Sequence, residues 1–153
     1  MSAPTVTVTA EPFDSPDAER LRAAQRTEID ALYGEDTEPG EKPTAESVPV
    51  FLVARDASGT AIGCGGLRLL PDDGAEIKRM YVAPGRRGTG TAVALLQGLE
   101  EAARGLGVAR LLLETGTEQL AAQRFYEREG YVPIEPFGPY VGEPTSLCYA
   151  RTL

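Results

Sequence analysis

Two periods of apolar and polar residues run along this chain, and the places where they switch mark its elements. Thr5–Ala10 (TVTVTA) alternates strictly, which predicts a first strand. Asp14-Ser15-Pro16 signals a helix start, with Ser15 as N-cap and Pro16 at the first helical position. That helix should run to Leu32 or Tyr33 and stop at Gly34. Ala18, Leu21, Ala24, Ile29 and Leu32 form its expected inner face, with Gln25 and Glu28 at the edge. Gly34–Pro49 is polar and rich in Pro and Gly, and predicts a long mobile surface loop that could serve as a lid. Val50–Arg55 and Thr60–Leu70 read as strands around the hairpin signal Asp56–Gly59, and Gly63, Gly65 and Gly66 suggest a bulge or close packing. Pro71–Gly74 is the next turn.

The stretch Ala75–Leu106 organises the rest. Ala75–Val82 alternates as a strand, and Pro84 and Gly85 end it. Arg86–Thr91 is a Gly-rich loop. Ala92, Leu95, Leu96, Leu99, Ala102, Ala103 and Leu106 then follow at helical spacing. Downstream, Ala109–Glu114 reads as a buried strand parallel to Ala75–Val82, which makes a βαβ unit. Glu118–Glu129 predicts a helix with Thr117 as N-cap and with Ala121, Ala122, Phe125 and Tyr126 inside. Tyr131–Ile134 and Ser146–Thr152 are the last strands, on either side of a Pro-rich loop that carries Phe137 and Tyr140. The pattern predicts an α/β (α+β) chain: a mixed, mostly antiparallel sheet flanked by helices, with a central βαβ unit, in one domain over residues 1–153.

A Gly-rich loop before a helix N-terminus is an anion site, because free amides and the helix dipole both favour negative charge. Arg86 and Arg87 beside it point to a phosphate-bearing ligand. No Lys-Ser or Lys-Thr follows these glycines, which excludes a P-loop. The antiparallel strands before the loop argue against a dinucleotide-binding doubly wound sheet.

Composition narrows the chemistry further. The chain holds no histidine, so neither a Ser-His-Asp nor a Cys-His arrangement is available, nor His-ligated zinc. Cys64 and Cys148 lie in apolar runs and read as reduced core thiols; no metal site is expected. Proton transfer therefore falls to a carboxylate, Tyr, Cys, Lys, a terminal amine or water. A formal charge of −8 speaks against nucleic-acid or membrane-surface partners. The N-terminus has no basic segment followed by an apolar one, so no signal peptide is expected, and a cytoplasmic location follows.

Two motifs carry a family resemblance. Val82-Ala83-Pro84 followed by Arg87-Gly88-Thr89-Gly90-Thr91-Ala92 resembles the V-x-P strand end and [QR]-x-x-G-x-[GA] loop of the GNAT superfamily of acyl-CoA N-acyltransferases. Ala122–Tyr131 resembles that family's A-x-x-F-Y-x-x-x-G-[FY] segment. The resemblance covers about Val50 to Ile134. It implies a sheet of six or seven strands with three or four helices, and acetyl-CoA as co-substrate without a metal.

The resemblance also implies roles. Arg87, Gly88, Thr89, Gly90, Thr91 and Ala92 would cradle the pyrophosphate. Met80, Tyr81 and Val82 would flank the pantetheine arm, with backbone hydrogen bonds from Met80 and Val82. Tyr126 would protonate the leaving thiolate. Glu76 is the first candidate base, with Glu114 and Glu28 as alternatives. The acceptor site would draw on Glu28, Tyr33, Phe137 and Tyr140, while Glu35, Asp36, Glu38, Glu41 and Glu46 could attract an ammonium group. The expected activity is transfer of an acetyl group to the primary amine of a small molecule by direct attack. Two alternatives stay open: a protein N-terminal or lysine acetyltransferase, and a non-catalytic acyl-CoA-binding or sensor module. A homodimer is held open as well.

Overall fold

A computed structural model describes residues 6–36, 38–72 and 74–153. The chain runs β1 (Thr7–Ala10), α1 (Pro16–Tyr33), β2 (Val50–Arg55), β3 (Ala61–Leu69), β4 (Gly74–Val82), α2 (Thr91–Gly105), β5 (Arg110–Gly116), α3 (Leu120–Arg128), β6 (Val132–Ile134) and β7 (Ser146–Thr152). Short 3₁₀ turns lie at Pro84–Arg86 and Gly138–Tyr140. Thr5 of the expected first strand, Thr37 of the long loop and Asp73 of the expected turn lie outside the described residues. No described helix is long and apolar enough to cross a membrane.

The seven strands form one sheet in the order β1-β2-β3-β4-β5-β7-β6. Only β4 and β5 pair in parallel, and α2 crosses between them. Their ladder is short. It joins Gly74–Ile77 to Arg110–Leu113 and goes no further, although both strands continue. The cause lies one strand away. Gly66 pairs with Lys78 and Cys64 with Tyr81, so Gly65 alone faces both Arg79 and Met80. That extra residue is a β-bulge, and Arg79 takes a left-handed φ of 58° within it. A bulge bends its strand, so beyond Ile77 β4 leaves β5 and the sheet opens. Gly65 suits the bulge: a Cβ there would meet the Met80 sulfur at 3.0 Å and a Leu99 methyl at 3.1 Å.

Each face of the sheet has its own core. Leu95, Leu96, Leu99 and Ala103 of α2 pack with Ile77, Leu111, Leu113, Tyr126 and Tyr149. On the other side, Ala18 and Leu21 of α1 pack with Phe13, Val48, Phe51, Val53 and Cys64. Burying each leucine contributes about 2 kcal/mol. Ser15 caps α1 through its Oγ, which accepts from the Ala18 amide at 3.2 Å, and Gly34 ends it with φ 80°.

Several face assignments need correction. Leu32 is 51% exposed, and Ala24 is exposed too. Past Leu21 the cleft-facing positions of α1 are Gln25 and the expected Ile29, while Ala24 and Leu32 turn outward, because the sheet opens there and α1 borders a cleft and not a packed face. Leu106 and Ala121 are also exposed, since each sits at the end of its helix. Thr117 is not a cap: β5 extends through Gly116, and Gln119 precedes the first turn of α3.

The stretch 34–49 carries no helix or strand among its described residues, but Glu38 anchors it to the bulge. Arg79 donates to both Glu38 oxygens, at 2.6 and 2.9 Å, and Lys78 and Lys42 lie at 3.4 and 3.0 Å. Burial opposes the charge on Glu38, but the Arg79 hydrogen bonds and the nearby cations outweigh it and hold the carboxyl well below its ordinary range. A depressed carboxylate pKa stabilises the fold above the unfolded value of 4.5 and loses that contribution as pH falls below it. Glu38→Gln should therefore cost about 3 kcal/mol at pH 7, since it removes the carboxylate that Arg79 and the buried Lys78 share. Urea unfolding should show the gap from wild type closing below about pH 4.5; a gap that stays constant with pH would refute the ion-pair account.

Candidate active site

Where β4 and β5 part, a cleft opens that holds about 760 Å³ with its mouth. The diverging strands supply Ile77–Met80 and Leu113–Gly116. Gln25, Arg26, Ile29 and Tyr33 of α1 form one wall, Ala122 and Tyr126 of α3 another, and Glu38 and Thr145 the rim. The polar row of α1, which makes a poor core face, is thus the wall of a site.

Tyr126 packs edge-on against Phe125 and Tyr131, with ring centroids at 5.1 and 5.7 Å. It is buried, and desolvation raises its pKa, so the phenol keeps its proton across the neutral range. Across the opening, Glu114 lines the same cleft. Burial raises its pKa, opposed by the Ser146 hydroxyl, which donates to it at 2.6 Å, and by the charge of Lys78. A carboxylate whose pKa is moved up from 4.5 is a stronger proton acceptor than a solvated one.

Glu76 has a different setting. Its side chain is 2% exposed and does not line the cleft. Tyr140 donates to it, Arg68 approaches at 3.2 Å and Lys78 at 3.6 Å. Tyr140 is itself buried, with Phe137 edge-on at 5.2 Å; neither lines the cleft. Tyr33 does, and its hydroxyl accepts from the Glu118 amide at 3.2 Å. It lies against Gly116 so closely that a Cβ there would overlap the phenol.

Neither cysteine is placed for acyl transfer. Both are free and buried, and burial pushes the Cys64 thiol up to about 12. Among the described residues, no group of three or more His, Cys, Asp or Glu could hold a metal ion.

The Gly-rich loop is built for an anion through its backbone more than its arginines. Arg86 pairs with Asp56 at 2.8 Å. Arg87 pairs with Glu28 at 2.8 Å and donates from Nε to the Val82 carbonyl at 2.9 Å. Both guanidinium groups thus have carboxylate partners, and Glu28 is Arg87's. Gly88 and Gly90 take φ of 78° and 87°, and a Cβ on either would meet nothing within 4 Å. The glycines are needed for backbone conformation, and the space beyond them is free. Gly90 is the N-cap of α2 and provides no side-chain hydrogen bond, so the first-turn amides point outward without a cap. This arrangement fits a pyrophosphate.

Among the cleft residues, Glu38 and Gln25 were not singled out by their sequence pattern. Glu38 was one of five acidic residues in an aperiodic loop. Gln25 stood at the edge of a helix face, and only its i, i+4 relation to Leu21 and Ile29 hinted at its direction. Gln25 Nε2 donates to the Met80 carbonyl at 2.9 Å, which occupies one of the groups expected to serve the pantetheine arm.

Residues 15–131 match the Acetyltransferase (GNAT) family. The chain belongs to that family. The fold agrees: a crystal structure of a protein assigned as an acyl-CoA N-acyltransferase from Klebsiella pneumoniae superposes with a TM-score of 0.83, covers 97% of this chain and 98% of that one, and is 32% identical. A GNAT acetyltransferase from Elizabethkingia anophelis, crystallised with acetyl-CoA bound, shares the fold with a TM-score of 0.71 at 16% identity, over 97% of this chain and 98% of its own. The IAA acetyltransferase of Azospirillum brasilense is 42% identical over 104 residues, 67% of each chain. Matches to three further curated relatives span 62%, 58% and 62% of their lengths. In GNAT terms, the expected sheet of six or seven strands is a sheet of seven, with three α-helices.

The environment of Glu114 makes a direct prediction. Its carboxyl should titrate above 4.5, and Ser146→Ala, which removes the donor that stabilises the carboxylate, should raise the midpoint further. Carboxyl ¹³C chemical shifts followed against pH would measure both; a wild-type midpoint at or below 4.5 would contradict the burial argument.

Proposed function

We propose that this GNAT chain transfers an acetyl group from acetyl-CoA to the primary amine of a small molecule by direct attack. The observation that carries this is the cleft itself: a buried, protonated phenol on α3 and a carboxyl of raised pKa on β5 face one opening between β4 and β5. Fold alone does not give an activity, but this pair supplies an acid and a base of the required kinds.

In this reading Arg87–Ala92 hold the pyrophosphate through their amides, and the arm runs along Met80–Val82. Acetyl-CoA supplies the thioester. Glu114 takes the proton that the attacking nitrogen must lose, directly or through water. The nitrogen bonds to the thioester carbon, the carbon–sulfur bond breaks, and Tyr126 gives its proton to the departing sulfur. Glu114 then releases its proton to solvent and Tyr126 takes one up, which returns both groups to their starting states. Glu76 supports the site from below, by fixing Tyr140 and Lys78. A small acceptor fits a cleft walled by α1 and α3 and rimmed by Glu38.

Two variants test the reading. Tyr126→Phe should bind CoA within about twofold of wild type and lose on the order of a hundredfold in turnover. Thiol release on a panel of amines measures it, and wild-type turnover would remove Tyr126 as the acid. Gly90→Val places a β-branched residue at positive φ and a side chain where the pyrophosphate would lie. It should raise the CoA Kd by at least about tenfold with an unchanged circular dichroism spectrum. Unchanged affinity by calorimetry would defeat the cofactor assignment.

A further inference from the structure

Tyr126 has no polar group to hold it. Burial alone acts on its phenol, and no hydrogen bond or charge fixes the hydroxyl among the described residues. Its direction depends on what packs against the ring and what grips the backbone. Phe125 supplies one ring contact from the neighbouring position. Tyr131 supplies a ring contact and a backbone bond. Its amide donates to the Tyr126 carbonyl at 2.9 Å, and the Gly130 amide donates to the Glu127 carbonyl at 3.2 Å. Gly130 takes a φ of 94°, so these two bonds make a Schellman turn at the end of α3. The turn brings the Tyr131 ring edge-on to Tyr126, with centroids 5.7 Å apart. Tyr131 is in turn gripped from two further elements. It is buried, and its hydroxyl donates to Oε2 of Glu100 on α2 at 2.9 Å. Arg151 of β7 donates to the same oxygen at 2.6 Å. Burial raises the Tyr131 pKa and the charge of Glu100 adds to it, so the hydroxyl keeps the proton it donates.

We infer that Tyr131 and Glu100 are positioning residues that aim the Tyr126 phenol. The inference rests on the reading of Tyr126 as the acid. Glu100 is a buried carboxylate that the proposed chemistry does not use. Well-packed apolar residues would hold α2 against the end of α3 at least as firmly as a buried ion pair. What the pair adds is direction. Arg151 fixes Glu100, Glu100 fixes the Tyr131 hydroxyl, and the Tyr131 ring sets the tilt of Tyr126. None of these three lines the cleft, so they act through Tyr126 and not on a substrate. The helix itself is a weak support: α3 has nine residues and no side-chain cap at its start. Tyr149 donates to Glu127 at 2.8 Å, which anchors the helix, while Tyr131 anchors the ring. Proton transfer to the departing sulfur needs the phenol within hydrogen-bond reach. A displacement of about 1 Å costs on the order of a hundredfold in rate, so a ring without polar ties of its own needs such a brace.

The test is a double-mutant cycle between Tyr131→Phe and Tyr126→Phe, with kcat and KM read by thiol release on the best amine acceptor. Tyr131→Phe removes one oxygen and keeps the ring. It should lower kcat about tenfold, with KM for the amine and the CoA Kd within about twofold of wild type. In the Tyr126→Phe background there is no proton left to aim, and the same change should alter kcat by less than about twofold. Glu100 supplies a second measurement. Its Oε2 takes both hydrogen bonds, and a glutamine oxygen can replace it, so Glu100→Gln should stay within about threefold of wild type. Glu100→Leu has no acceptor and should fall as far as Tyr131→Phe. A wild-type kcat in Tyr131→Phe overturns the inference. A loss of equal size in both backgrounds overturns it too, since that is what a general loosening of the fold would produce. So does a loss in Glu100→Gln as deep as that in Glu100→Leu. Should Tyr131→Phe not fold, Glu100→Leu takes its place in the cycle. Wild-type turnover in Tyr126→Phe alone, or a wild type that acetylates no amine, instead defeats the reading on which the inference stands.

Discussion

One extra residue in β4 sets the geometry on which the site depends. At Arg79 and Met80 two residues face Gly65, and the strand turns away from its parallel neighbour. Without that bulge, β4 and β5 would continue to pair beyond Ile77 and Leu113, and the hydrogen-bonding groups that now line a cleft would close into a ladder. A left-handed arginine costs free energy, and Glu38 offsets it by gripping the Arg79 guanidinium with both oxygens. The same glutamate draws the 34–49 stretch over the opening. The bulge, the rim of the cleft and the tether of Gln25 are therefore one assembly.

Much of this architecture was legible because its signals are local. Strand limits at Val50–Arg55 and Ser146–Thr152 follow from turn residues on either side, and α2 follows from an apolar row that has a sheet to pack on. The βαβ unit and the Gly-rich loop belong to the same class of signal. Failures occurred where the partner of a face, and not the face itself, decides the outcome. Ala24 and Leu32 extend an apolar row, yet α1 runs past the core into the opened sheet, where Gln25 joins the expected Ile29 as an inward position. The bulge has no signature apart from Gly65, since Arg79 gives no hint of a left-handed backbone.

The arginines of the loop show why charge counted along a chain is a weak guide to a binding site. Adjacent to glycines, Arg86 and Arg87 suggest a reservoir of positive charge. In the fold each meets a carboxylate from a distant element, Asp56 and Glu28, so neither is a free cation waiting for a phosphate. What remains for an anion is the uncapped start of α2 and the positive-φ glycines, which are backbone features. Arg87 also ties Val82, at the end of β4, to α1, so the wall of the cleft and the loop share a fixed element.

Glu76 and Glu114 show how environment, and not residue type, separates candidates for a base. Both are glutamates on neighbouring central strands, and both lie near Lys78. Glu76 falls within the four paired residues of the parallel ladder, where the sheet is closed, and it is consumed by Tyr140, Arg68 and Lys78. Glu114 is the first residue of β5 beyond that ladder, so it borders the opening, and its only side-chain hydrogen bond among the described residues comes from Ser146. A proton acceptor needs free lone pairs aimed at the substrate and a charge that its surroundings do not hold too firmly. The end of the β4–β5 ladder thus separates the settings of the two carboxylates, as it sets where the cleft begins.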